Sequence, residues 1–208
     1  MWTLIRREIE DMWVFYLVFL LLWVAAVLLL ASAAFRGTEE ALRLKEGVVY
    51  PYPFLCVVLA VLGVSQMYFD RMRRLSAFLL SRGTVRRQVF AARVAAGLIP
   101  NLFFTAGLGA VSMVLFRNFA FYNAAFRNDL ISSLISGFLA GTACYGIGLA
   151  AGWTSSRVFP TLGTLGLVII VLSLLVIKGF DIQVQILFLT ATVSAVLVGW
   201  ESYRTSSL

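Results

Sequence analysis

The sequence predicts an all-α integral membrane protein with six transmembrane helices, an N-terminal interfacial helix, and a cytosolic helix between spans 2 and 3. Bulk composition is the first observation behind this class. Hydrophobic residues make up 61% of the 208 residues and charged residues 13%, whereas soluble domains average about 45–50% and about 25%. The apolar residues also gather in runs of about 20, the length that crosses a bilayer as a helix. The alternating pattern of a membrane β-barrel is absent.

The predicted spans are joined by short connections, so we expect residues 1–208 to form a single transmembrane domain. Residues 1–11 place Trp2, Ile5 and Ile9 on one helical face, which is typical of an interfacial helix. A signal peptide is the alternative, but this region carries three acids and the apolar run after it exceeds the about 7–15 residues of a signal sequence. The six predicted spans are Met12–Phe35, Pro53–Phe69, Arg93–Phe116, Leu130–Gly152, Val158–Ile177 and Ile182–Gly199.

The basic residues predict the orientation of the chain. The formal charge of +7 does not require nucleic acid as a partner, because cytosolic loops of membrane proteins collect Lys and Arg. With the N-terminus inside, the inner segments carry eleven of the 17 basic residues, so we expect both termini in the cytosol. Seven of the eleven lie in Asp70–Arg93, which we call the basic segment.

The spans lack the chemistry of common membrane enzymes and ion-coupled carriers. The chain has no histidine, which excludes HExxH zinc sites and histidine proton relays. It carries no phosphate-binding loop and no nucleophile motif, so we expect no enzyme activity, cofactor or metal site in this chain. We also expect no acidic or basic side chain well inside a span, where coupled carriers usually place one.

Two polar residues and two cysteines fall within the predicted spans. Gln66 and Asn101 are candidate pathway residues, although hydrogen bonding between helices is the favoured interpretation of both. Cys56 and Cys144 lie in apolar runs, and we expect them to pack as small hydrophobes.

Small residues recur every four positions in the fourth predicted span. Gly137 and Gly141 follow one another at this spacing, and so do Gly148 and Gly152. Small side chains at this spacing let helix backbones approach closely. We interpret them as a packing face within one subunit. A helix that slides against its neighbour during transport is the alternative.

The basic segment combines arginines with an apolar stripe. After the second span, Asp70–Ser81 is predicted to form a short helix that Gly83 ends, with Thr84 as the cap of the next helix. One interpretation is an interfacial helix whose arginines bind anionic lipid. The other is a helix that docks on a cytosolic partner, with apolar side chains filling a groove and arginines orienting it. The candidate docking residues are Arg71, Met72, Arg74, Leu75, Phe78, Leu79, Arg82 and Gly83.

The same residues resemble a known family. An acidic residue after a span, a helix ending in Leu-Leu-Ser, a turn, Thr-x-Arg, and a basic residue opening the next span resemble the permease subunits of type-2 ATP-binding-cassette (ABC) exporters. The sequence departs from that pattern at Gly83, where the family usually has Pro, and at the short link Lys178–Asp181, where it often has helical hairpins. The resemblance is carried by Asp70, Leu79, Leu80, Ser81, Gly83, Thr84, Val85, Arg86 and Arg93.

The resemblance implies that Asp70–Ser81 is a coupling helix that contacts a separate cytosolic ATPase subunit. It implies that ATP and Mg²⁺ bind that partner, and that two six-span subunits, either two copies or one copy and a homologue, enclose the pathway. An excess of arginine over lysine hints at a bacterial source, so the expected location is the bacterial inner membrane. The alternative function is a non-transporting scaffold or assembly factor that binds anionic lipid, and a membrane enzyme comes third.

Overall fold

Five long helices make up most of the structure. The computed structural model describes residue 6 and residues 9–35, 51–73, 85–117, 124–154, 166–171, 173 and 181–205. Within these ranges no strand occurs, and the prediction of an all-helical protein is confirmed. The helices are α1 (Trp13–Phe35), α2 (Pro51–Arg73), α3 (Arg86–Phe116), α4 (Ala124–Thr154) and α5 (Ile182–Thr205).

Each of the five helices contains a stretch long and apolar enough to cross a membrane. Backbone groups cannot bond to water in the bilayer core, so a continuous helix is the form in which such a stretch is stable there. The protein is therefore membrane-embedded. α4 is its central helix, since 72% of its apolar stretch is buried inside the protein, compared with 17% for α1.

The last two helices run parallel to each other. Near the start of α5, Gln185 Nε2 donates to Ser132 Oγ at 3.0 Å. About three turns farther along α4 and two turns farther along α5, the hydroxyls of Thr142 and Thr192 lie 3.3 Å apart. Residue numbers thus increase together along α4 and α5. The end of α4 and the start of α5 therefore lie at opposite ends of the bundle.

α2 and α4 pack backbone against backbone. A Cβ on Gly148 would meet the carbonyl oxygen of Ala60, and a Cβ on Gly63 would lie 2.6 Å from the carbonyl oxygen of Tyr145. Gly152 continues the contact, because its Cβ would lie 2.6 Å from the carbonyl oxygen of Val64. The absence of side chains at these positions is what allows the close approach.

The other two glycines of the predicted packing face accommodate side chains rather than backbone. Gly137 faces the ring of Tyr52. Gly141 faces Leu59 and Asn101, and a Cβ there would lie 2.9 Å from Leu59 Cδ1. All four glycines that the sequence singles out therefore lie on the face of α4 that meets α2 and α3.

The two cysteines lie in the same interface. Cys56 and Cys144 are fully buried, and the Cys56 thiol lies within hydrogen-bonding reach of the Cys144 thiol. They fill the space between α2 and α4 as small side chains, and both are free thiols.

Two helices extend beyond the apolar runs, and one predicted cap is wrong. α3 begins at Arg86, and its N-cap is Val85 rather than Thr84, with no side-chain capping bond. α4 begins at Ala124, before the predicted span at Leu130, so Asp129 lies inside it. In both cases polar or charged residues continue the helix on the N-terminal side of the apolar run, because the first helical turns extend past the hydrocarbon core.

Three other predictions fall wholly or partly on residues outside the described ranges. The fifth predicted span, Val158–Ile177, is described at 166–171 and 173, where the backbone is helical and Val168 and Val171 are buried. Most of the N-terminal interfacial helix and residues 74–81 of the predicted coupling helix lie outside the described residues.

Gly148→Ala should destabilise the protein, because its new methyl group meets the backbone of Ala60, which cannot rotate away. Overpacking of this kind costs about 1–3 kcal/mol, which should lower the thermal unfolding midpoint of the detergent-purified protein. Gly199→Ala is the matched control. Its Cβ would lie 3.6 Å from the nearest atom, and it gains up to about 1 kcal/mol of helix propensity. Equal midpoints for the two variants would contradict the close approach of α2 and α4.

Candidate functional site

A buried ion pair joins the two residues at which the basic segment leaves the bundle, Asp70 and Arg93, which we call its roots. Asp70, near the end of α2, accepts a bond from Arg93 in α3, with Arg93 Nη2 and Asp70 Oδ1 2.9 Å apart. Both side chains are 1% exposed. Arg93 lies seven residues after the start of α3, about 10 Å along the helix at 1.5 Å per residue. The pair is therefore inside the bundle.

The sequence placed Asp70 and Arg93 at the ends of two apolar runs. It did not predict that both side chains are buried inside the protein and paired with each other. The two charges are tolerated because they neutralise each other and because the arginine has further partners, a condition that buried pairs generally require.

Tyr145 connects the root of the segment to α4. Its hydroxyl lies 2.6 Å from Gln66 Oε1 on α2 and 2.7 Å from the Arg93 carbonyl oxygen on α3. One phenol proton thus faces two acceptors on two different helices. The Tyr145 ring fits against α3 because residue 97 is a glycine, and a side chain at that position would overlap the ring. One side chain of α4 therefore fixes the spacing of α2 and α3.

The orientation of the Gln66 amide follows from the same geometry. With Oε1 toward Tyr145, Gln66 Nε2 has no hydrogen-bond partner among the described residues. In the alternative amide orientation Nε2 donates to the phenol oxygen, and the phenol proton goes to the Arg93 carbonyl. That arrangement gives the phenol both a donor and an acceptor partner, but it leaves Gln66 Oε1 without a donor among the described residues. In either orientation Gln66 links α2 to α4.

Arg93 also contacts the end of α5. Its guanidinium lies over the ring of Tyr203, 5.6 Å from the centroid, and its Nη1 lies 3.7 Å from Met67 Sδ. Tyr203 belongs to an aromatic cluster with Phe90 and Trp200, whose ring centroids are 5.3 Å apart. A cation over an aromatic face is stabilised by the ring quadrupole. The cluster fastens the last turns of α5 to the first turns of α3.

A second hydrogen bond joins α3 to α5 nearer the surface. Arg86 Nη1 donates to the backbone carbonyl oxygen of Arg204 at 2.7 Å. A cation at the carboxyl end of a helix complements the partial negative charge there. On the first helix, the Tyr16 hydroxyl donates to the Ala96 carbonyl oxygen at 2.7 Å. All five helices thus meet at this end of the bundle, which we call the basic end.

Asn101 lies deeper in the bundle. It is fully buried, and its Nδ2 donates to the Phe138 carbonyl oxygen of α4 at 3.0 Å. Gln66 and Asn101 therefore both bond between helices. In the described residues, Asn101 Oδ1 has no hydrogen-bond partner.

The candidate docking residues divide between the described and undescribed parts of the chain. The backbone of Arg71 and Met72 forms the last turn of α2. The other six candidates lie outside the described residues: Arg74, Leu75, Phe78, Leu79, Arg82 and Gly83. The structure therefore describes the roots of the basic segment, and those roots are bonded to each other.

Sequence reasoning missed the cluster beneath the segment. Asp70 and Arg93 were visible as the charged ends of two apolar runs, but their pairing depends on the start of α3. Tyr145 carried a weak signal, as a large ring within a ladder of small residues. Tyr203 had no signal beyond its place near the end of the last apolar run.

No protein-family model matches this chain, and no curated protein matches it either.

Removing one member of the buried pair should destabilise the protein far more than removing an exposed one. Asp70→Asn leaves the Arg93 charge buried without its counter-charge, a change that typically costs about 3–5 kcal/mol. Adding Arg93→Met replaces both charges with neutral groups and should recover much of that loss. Stability is measured by thermal or denaturant unfolding in detergent.

Glu10→Gln is the control for this series. It removes the partner of Arg6 in an exposed pair of similar length, 2.8 Å, with side chains 73% and 62% exposed. Exposed pairs of this kind contribute little. If Asp70→Asn were as harmless as Glu10→Gln, the buried pair would not be the joint described here. The same conclusion would follow if adding Arg93→Met to Asp70→Asn recovered none of the lost stability.

Proposed function

We propose that this chain is the transmembrane permease subunit of an ATP-driven type-2 ABC exporter. Two such subunits, either two copies or one copy and a homologue, form the pathway. Separate cytosolic ATPase subunits hold ATP and Mg²⁺ and supply the energy. The observation that carries the proposal is the buried Asp70–Arg93 bond at the root of the basic segment.

The Asp70–Arg93 ion pair suits a segment that transmits force from a cytosolic partner to the membrane helices. A loop attached to two independent helices would move without moving them. Here the two roots are joined at 2.9 Å, and the same joint contacts α4 through Tyr145 and α5 through Tyr203. A push on the segment by a cytosolic partner therefore reaches four helices together. This is what a coupling helix requires.

A further crossing between α4 and α5 completes six spans. The parallel course of these helices supports a return of the chain across the bundle between Thr154 and Ile182. A span needs about 20 residues, which that stretch accommodates, and residues 166–171 within it are helical. With six crossings both termini lie on one side. The basic end then faces the cytosol of a bacterial cell, in accordance with the positive-inside rule.

The buried pair does not favour an ion-coupled carrier. Coupling ions bind to groups that gain and lose a proton or cation near the middle of the membrane. Asp70 is instead bonded to an arginine, a residue that stays charged, and the pair lies toward one end of the bundle. It has the properties of a structural joint.

The alternative function rests on the exposed arginines of the basic end. Arg87 and Arg204 are exposed there, and arginines at the membrane surface attract anionic headgroups. A scaffold that binds lipid would need those charges but would not need an apolar stripe on the coupling helix. The two functions therefore differ in which substitutions they tolerate.

Phe78→Asp and Leu79→Asp should each abolish co-purification of an ABC ATPase with the tagged, membrane-inserted protein. A charge in the apolar stripe removes the contact that fills the partner's groove. The matched variants Arg74→Gln and Arg82→Gln keep the stripe and should retain most of the ATPase. The readout is mass spectrometry of the eluate, with membrane insertion checked for every variant. If the parent protein brings down no ATPase, the proposal fails. Normal capture with both Asp variants would overturn the docking role of the stripe.

Cysteine labelling should place residues 181 and 205 on opposite sides of the membrane. Asp181 and Thr205 are exposed, and the native cysteines are fully buried, which keeps background labelling low. Asp181→Cys should react with an impermeant maleimide in intact cells, and Thr205→Cys only after permeabilisation. Glu10→Cys, at the other terminus, should behave like Thr205→Cys. The reverse pattern would overturn the orientation.

A further inference from the structure

The interior of α3 contains a proline. Pro100 lies near the middle of this helix. Because proline has no N–H group, it cannot donate to the carbonyl oxygen four residues earlier, which belongs to Ala96. The proline ring also crowds that carbonyl, so a helix bends at such a position. In the bilayer core no water replaces the lost bond, and the Ala96 carbonyl needs a donor from elsewhere in the protein.

α1 supplies a donor for this carbonyl. The Tyr16 hydroxyl donates to the Ala96 carbonyl oxygen at 2.7 Å. This is the one carbonyl group of α3 that Pro100 deprives of its helical partner. Ala96 is fully buried, so the bond lies between the two helices. The position of Tyr16 thus compensates for the bond that the proline removes.

α1 also contacts α3 on the other side of the proline. The ring centroids of Trp23 and Phe103 lie 6.2 Å apart. Trp23 also occupies the space that Gly107 leaves, since a Cβ there would lie 2.7 Å from Trp23 Nε1. Seven residues separate Tyr16 from Trp23 on α1, and seven separate Ala96 from Phe103 on α3. The two helices therefore run parallel in matching register, and α1 contacts both halves of α3.

We propose that α1 controls the bend of α3 at Pro100. While α1 is in place, Tyr16 satisfies the carbonyl that the bend exposes, and Trp23 holds the half of α3 beyond the proline. Displacement of α1 withdraws both contacts. The Ala96 carbonyl must then turn toward a backbone N–H of its own helix, and the bend changes with it.

α1 is the helix for which such a displacement costs least. Only 17% of its apolar stretch is buried, compared with 39% for α3 and 72% for α4. Every exposed residue of α1 from Trp13 to Leu29 is apolar, so this surface moves through lipid without breaking a polar bond. Movement of α1 is thereby converted into a change in the shape of α3. The proposal stands on these contacts and does not depend on the proposed function.

A double-variant cycle tests the link between Tyr16 and the proline. Tyr16→Phe removes the donor, and Pro100→Ala restores the N–H group that bonds to Ala96. Tyr16→Phe should lower the thermal unfolding midpoint of the detergent-purified parent, and should lower it by less than half as much in the Pro100→Ala protein. Tyr68→Phe, at a tyrosine 45% exposed on α2, is the control and should change neither midpoint. Equal losses from Tyr16→Phe in both proteins would overturn the proposal.

A distance measurement in lipid tests control of the bend itself. Spin labels on Gln88→Cys and Val114→Cys, both exposed, lie on opposite sides of Pro100. Labels on Leu102→Cys and Val114→Cys, 59% and 72% exposed, lie on the same side. The native cysteines are fully buried and stay unlabelled. Tyr16→Phe should shift or broaden the first distance and leave the second unchanged.

The distances decide the proposal even if Pro100→Ala does not fold, because they need no proline variant. An unchanged distance across the proline would show that α1 does not set the bend, and would overturn the proposal. A change in both distances would also overturn it, since that result indicates general loosening of α3 rather than a change at Pro100.

Discussion

The close approach of α2 and α4 is the constraint on which the rest of the structure depends. Gly63, Gly148 and Gly152 bring the two backbones together, and contacts of this kind stabilise membrane helices because lipid gives them no hydrophobic driving force to associate. The approach also sets where Tyr145 stands, since this residue lies on the same stretch of α4. A wider separation would move its hydroxyl away from Gln66 and from the Arg93 carbonyl. The polar cluster at the basic end thus depends on glycines that carry no chemistry of their own.

The cluster in turn makes a buried charge tolerable. An isolated arginine in a low-dielectric interior is strongly unfavourable, and a paired one is acceptable when its remaining donors have partners. Arg93 has Asp70 as its counter-ion, Met67 beside one nitrogen and Tyr203 beneath its plane. These contacts come from two other helices. The burial of Arg93 therefore requires that α2 and α5 are both in place. This requirement applies at the point where the basic segment leaves the bundle.

The sequence was sufficient for the class and for the main packing face, and insufficient for the cluster. Runs of apolar residues predicted membrane helices because the bilayer imposes their length. The spacing of Gly148 and Gly152 predicted a packing face because the helix repeat is fixed. The pairing of Asp70 with Arg93 depends on three-dimensional register, which no local pattern contains. The turn at Gly83 and Thr84 predicted the start of α3 to within about two residues, whereas hydropathy placed the span only from Arg93, because hydropathy reports the bilayer core rather than the helix.

The distribution of contacts argues which parts of the molecule move together. α2, α3 and α4 are joined by backbone contact and by one shared phenol, so sliding of α4 along α2 would break both. α5 is tied to α4 by Gln185 and Thr192 and to α3 by Tyr203. Motion within this group is therefore costly, and we infer that the four helices move as one body. Relative motion is then left to surfaces that carry few such bonds. Among the described helices the clearest case is the boundary with α1, whose apolar stretch is only 17% buried and whose Tyr16 hydroxyl donates to Ala96 of α3.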